Sequence, residues 1–155
     1  MTQDELDDVR KRYVQIFGDE GAAPDACRQI EERLAVRLPN DFKAISEFFS
    51  GGLLGGVSLH ATHTRGPATN ITQETERLRT AVCIPRPMVV LAEPPEGLIV
   101  LQTAEDERVR TRVVWCSEAA IGRLNEPLVD ADTWPDYFSF FQHLLTLEEE
   151  ERGEA

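Results

Sequence analysis

His60-Ala61-Thr62-His63 sets two imidazoles three residues apart, the nearest this sequence comes to a metal motif. On a helix such a pair can aim both rings at one ion. Here an apolar run ends and a polar stretch, ATHTRGPATN, begins, and no third Cys, Asp or Glu stands close by. No metal and no other cofactor is expected. His143, beside Gln142, reads as a surface or half-buried side chain. Ser46, Ser50, Ser58, Ser117 and Ser139 lie outside any G-x-S-x-G, and no local His/Asp arrangement activates one of them. GGLLGG (51–56) has the glycines of a phosphate loop without its lysine, and it follows a helix pattern rather than a strand. Its glycines serve turns and close backbone approach. Paired acids recur at Asp7-Asp8, Asp19-Glu20 and Glu105-Asp106-Glu107. Nothing places two of them across a cleft, so they are solvated turns and faces or surfaces for a partner. No catalytic residue is expected.

Cys27, Cys83 and Cys116 are odd in number, far apart and set among apolar residues. That spacing fits neither a disulfide framework nor a zinc site, and all three are expected to be buried, reduced thiols.

Charge narrows the classes further. Sixteen Lys and Arg face 28 Asp and Glu, giving a net charge of −12 and a pI of about 4.6. Direct nucleic-acid binding needs clustered cations, and an anionic membrane surface would repel this chain. A basic protein partner would be drawn to it by long-range steering. No apolar run approaches the ~20 residues of a membrane span. The opening MTQDELDDVR has no apolar signal core, so a cytoplasmic protein is expected.

The elements that must position these residues can be read in order. Thr2 with Glu5 forms a capping box, Leu6, Val9, Tyr13 and Ile16 recur at helical spacing, and Gly18 follows them. GDEGAAP is a loop, and Pro24 opens a second helix with Cys27, Ile30 and Leu34 on its apolar face. Pro39 and Asp41 start a third helix, with Phe42, Ile45 and Phe49 on one face, Phe48 beside them and Gly51-Gly52 at its end. LLGGVSLH (53–60) reads as one strand. Asn70 caps a fourth helix bearing Ile71, Leu78 and Val82. The period then changes. MVVLAE (88–93), GLIVLQT (97–103) and RVRTRVVWC (108–116), joined by short turns, predict an antiparallel meander. In the last of these, one face should meet the core while Arg110 and Arg112 turn to solvent or a partner. DTWPDYFSFFQHLLTL predicts an aromatic helix capped by Asp132 or Thr133 and docked on the sheet, before a fraying acidic tail over 148–155. Helices early and strands late give an α+β fold. One domain over 1–155 is expected, with N-terminal helices, a central, mostly antiparallel sheet of about four to six strands, and the C-terminal aromatic helix packed on it.

Three signatures then fall in order: Ile30-Glu31-Glu32-Arg33-Leu34, then Leu38-Pro39-Asn40-Asp41-Phe42, then Phe48-Phe49-Ser50-Gly51-Gly52. Together with Gly97-Leu98-Ile99-Val100-Leu101, Val113-Val114-Trp115 and the aromatic helix 134–145, this series resembles the SUKH superfamily, the Smi/Knr-type proteins. The likeness extends over about residues 24–147, with 1–20 as an additional helix and Gln102 where the family often has an acid. It implies a non-catalytic α+β interaction domain. Many bacterial members look like immunity proteins that bind and block a cognate toxin domain, often one directed at nucleic acid. A regulatory or scaffolding domain for an endogenous partner is the alternative.

On that reading the partner is a basic toxin domain, the protein a monomer, and the binding surface acidic. Loop position selects Glu93, Glu96, Glu105, Asp106, Glu107, Asp130 and Asp132 as the candidate contacts.

Overall fold

The computed structural model describes residues 1–104, 110–117, 120 and 132–153. The first helix, α1 (Gln3–Phe17), starts where the Thr2 hydroxyl accepts the Glu5 N–H at 3.1 Å and stops at Gly18, whose φ of 84° a glycine supplies. Val9 and Tyr13 bury its stripe, so α1 is part of the core. The second, α2 (Ala26–Leu34), buries Ile30 and Leu34 and ends in left-handed Ala35. The third, α3 (Asn40–Ser46), follows Pro39.

Helix α3 is shorter than its pattern predicts. Phe48 and Phe49 lie beyond it, and Gly51-Gly52 lead into a strand instead of closing the helix. Competing partners explain the early stop. The Ser46 hydroxyl donates back to the Lys43 carbonyl at 2.6 Å. The carbonyls of Ser46 and Phe48 accept the N–H groups of Ala22 and Glu20, at 2.8 and 3.1 Å. The 19–22 loop thus takes acceptors that another helical turn would have used. Only glycine fits at position 21, because a Cβ there would lie 2.1 Å from the Glu47 carbonyl oxygen.

Residues 53–60 are likewise not one strand. They form a hairpin of β1 (Gly52–Leu54) and β2 (Val57–Leu59), with Gly55 and Gly56 at φ 57° and 80° in the two-residue turn. Two successive positive φ angles suit the right-handed twist of paired strands. Next comes α4 (Ile71–Val82), where the Asn70 side-chain oxygen accepts the Gln73 N–H at 2.8 Å. Val82, expected on its apolar face, is exposed. The meander follows as β3 (Met88–Ala92), β4 (Gly97–Gln102) and β5 (Arg112–Ser117). A last strand, β6 (Asp132–Trp134), pairs with β5. The described sheet therefore runs β1-β2-β3-β4-β5-β6, every neighbour antiparallel. This is the α+β architecture the sequence predicts.

Both faces of β5 are covered, where one was expected. Val113 joins the main core, while Val114 and Cys116 pack with Leu78, Ile84, Val90, Leu98 and Val100 on the other side. Helix α4 supplies that second cover. Arg110 is exposed, as expected, but Arg112 donates to the Gln102 side chain at 2.6 Å. The cysteines also divide: Cys116 is buried, Cys27 half-buried and Cys83 exposed at the left-handed end of α4.

The last helix, α5 (Tyr137–Gly153), begins later than Asp132 or Thr133. A residue before proline is held extended, so Trp134-Pro135 favours the strand, and Asp136 becomes the cap, accepting the Ser139 N–H at 2.7 Å. Nor does the acidic run fray over its described part. Glu148 is buried, accepting the Gly55 N–H at 3.1 Å and Arg152 Nε at 2.7 Å. Glu149 accepts Arg12 Nε at 3.0 Å, and the Arg152 guanidinium lies over the Phe17 ring. Charges that find partners on α1, the hairpin and their own helix keep α5 wound to Gly153. Between these helices and the sheet sits an aromatic core. Tyr13, Phe48 and Phe49 surround Phe141 at centroid distances of 5.8, 5.9 and 5.1 Å.

Candidate partner-binding surface

The motif residues turn out to hold the scaffold. The Glu31 carboxylate accepts the Leu38 N–H at 2.9 Å and Lys43 Nζ at 3.2 Å, tying α2 to the chain entering α3. Asp41 accepts the N–H groups of Phe42 and Phe138 at 2.8 and 2.9 Å, tying α3 to the first turn of α5. Burial raises the Asp41 pKa despite these donors.

His60 is equally structural. It is buried, with Nδ1 2.7 Å from Thr69 Oγ1 and Nε2 3.1 Å from Glu93 Oε2. A carboxylate only accepts, so Nε2 carries its proton toward Glu93, and a neutral ring accepts the Thr69 hydroxyl at Nδ1. Neither ring nitrogen is left for a metal. Among the described residues no group of three His, Cys, Asp or Glu could hold an ion. Although Thr69, His60 and Glu93 stand in line, Glu93 spends its other oxygen on Arg77, which also binds Glu74. The chain of contacts pins the 60–70 loop to β3 and α4. Burial pushes the Cys27 and Cys116 thiols up, away from the reactive thiolate.

The acidic candidates separate on this frame. Glu93 belongs to the network above, with its side chain 30% exposed. Glu96 sits in the β3–β4 turn at φ 59°, exposed and without an ion pair among the described residues. Asp132 opens β6, exposed and opposite Trp115. Because Gly97 pairs with Ser117 and Trp115 with Asp132, strand register brings Glu96 and Asp132 to the same end of the sheet. Glu105, Asp106, Glu107 and Asp130 lie outside the described residues. The connection holding the first three leaves β4 at Gln102, roughly 17 Å along the strand from Gly97.

What unites Glu96 and Asp132 is a residue that loop position could not select. Trp115 is half-buried, paired across the ladder with Asp132, and its Nε1 lies 3.2 Å from where a Cβ on Gly97, the neighbour of Glu96, would stand. The next aromatic along the edge, Trp134, rests on Phe140 at 5.0 Å and on exposed His143 at 5.5 Å. A tryptophan flanked by carboxylates gives an apolar anchor with a charged rim, the usual make-up of a protein-binding patch. The alternation of the β5 sequence marked Trp115 as a strand residue. Its place beside Asp132 depends on β6, whose residues carry the pattern of a helix start.

No helix of the described chain is long and apolar enough to cross a membrane. The SUKH_5 family model, described as SMI1-KNR4 cell-wall, matches residues 5–145. No curated protein matches the chain.

Proposed function

Because the chain belongs to the SUKH (SMI1-KNR4) family, we propose that it is a cytoplasmic, non-catalytic immunity protein that binds and neutralises a basic bacterial toxin domain. The observation that carries the reading beyond the family is the patch at one sheet end. Glu96 and Asp132 flank Trp115 there, in a chain of net charge −12. An acidic field speeds encounter with a basic partner, and a partly buried tryptophan supplies the contact that slows release. The nucleic-acid-directed enzymes expected as targets carry basic surfaces of the required sign.

The test is co-expression with the product of a toxin gene found beside its own. The proposal expects the two proteins to co-purify and the toxin's activity to be blocked. E96K/D132K should slow association at low salt by about tenfold or more and flatten its salt dependence. A neighbouring toxin that neither binds nor is neutralised overturns the reading. An endogenous partner captured at the same patch would establish the regulatory alternative in its place.

A further inference from the structure

A cleft of about 490 Å³ opens at the other end of the sheet, where the exit of α2 meets the entry to β3 and the exit of β4. Its volume is that of a small-molecule site, within the usual range of roughly 300–1,000 Å³. Arg37 and Arg86 line it, and both are exposed. Among the described residues neither forms an ion pair, whereas Arg10, Arg12, Arg28, Arg33, Arg77 and Arg152 each hold a carboxylate. The wall's carboxylate, Glu31, is already engaged by the Leu38 N–H and Lys43.

A third guanidinium stands behind the second. Arg79 donates through Nη2 to the carbonyls of Leu34 and Arg86, at 2.9 and 2.7 Å, while its Nε is buried without a partner. Burial first, and then the charge of Arg86, hold its pKa below the ordinary value. Like charges are thus gathered around a concave site.

We infer that this cleft binds a small phosphate-bearing anion through the guanidinium groups of Arg37 and Arg86, with Arg79 fixing the backbone of Arg86 from behind. Guanidinium forks match the oxygens of a phosphate, and such contacts form at about 2.7–2.9 Å. The chain's overall negative charge does not prevent this. At physiological salt the screening length is about 8 Å, so carboxylates farther from the cleft than that weigh little against its arginines. The site lies at the Gln102 end of β4, away from the Glu96–Trp115–Asp132 patch, and stands independently of the proposed partner.

Calorimetric titration with pyrophosphate at fixed ionic strength tests the inference. One saturable site is expected. R37A/R86A should lose about tenfold or more in affinity with an unchanged melting temperature in the absence of ligand, since both side chains are exposed. R28A, which breaks a surface pair with Glu32 on α2, should bind as the parent does. No saturable heat at millimolar pyrophosphate overturns the site. So does an equal loss in R28A, which would mark a general charge effect. Citrate binding as tightly as pyrophosphate overturns the phosphate assignment.

Discussion

Phe42 shows how a residue can identify a fold without taking part in its chemistry. Its ring is buried, 4.8 Å from that of Tyr137. Phe42→Ala should cost about 3–5 kcal/mol in denaturant unfolding, and a variant as stable as the parent would remove it from the core. Individual carboxylates differ in the sign of their effect. Glu149 has a lowered pKa, chiefly from its hydrogen bond with Arg12, so its contribution is present above the ordinary value of 4.5 and lost as pH falls through the lower folded value. E149Q should therefore be less stable than the parent at neutral pH, with the gap in urea midpoint closing on acidification. Half-buried Asp41 runs the other way. Its raised pKa contributes stability below 3.8 that is lost as pH rises through the folded value. Apolar periodicity made the burial of Phe42, Ile45 and Leu38 legible in the sequence. It could not show that Glu148 is buried, because the N–H that Glu148 accepts lies 93 residues away.

Elements were legible where their signals are local, and misread where a distant partner decides. The capping residues Thr2 and Asn70 start the helices their spacing predicts. The start of α5 is not legible in the sequence, because a strand ladder with β5 competes for residues 132–134. The β1–β2 hairpin was missed although Gly55-Gly56 between apolar pairs is itself a hairpin signal. Its two glycines separate conformation from space. Both have positive φ, but a Cβ on Gly55 would lie 2.6 Å from the Leu144 carbonyl oxygen, while one on Gly56 meets nothing within 4 Å. Gly56→Ala should cost about 1–2 kcal/mol for its left-handed backbone alone. Gly55→Ala should cost clearly more, because the hairpin must also lift off α5. Equal unfolding midpoints for the two variants would contradict that docking.

At the scale of the whole molecule, the candidate acids can be named from the sequence but not grouped. Charge signs are visible in a sequence, but which turns share a sheet end depends on strand order and register. That same strand order has a consequence for how the protein comes apart. Each strand pairs with its neighbour in the chain, so β3, β4 and β5 close only short loops, while α1 reaches α5 across 137 residues at Arg12–Glu149. Long loops cost more entropy to close, and contacts across them form late and open early. Native-state hydrogen exchange should find the amides of Val89, Val100 and Val114 released only by global unfolding, and those of α1 at a lower opening free energy. Uniform exchange across the two would contradict this order. The meander would then be the folded remnant in every partly open form, with the first helix as the part that detaches and returns.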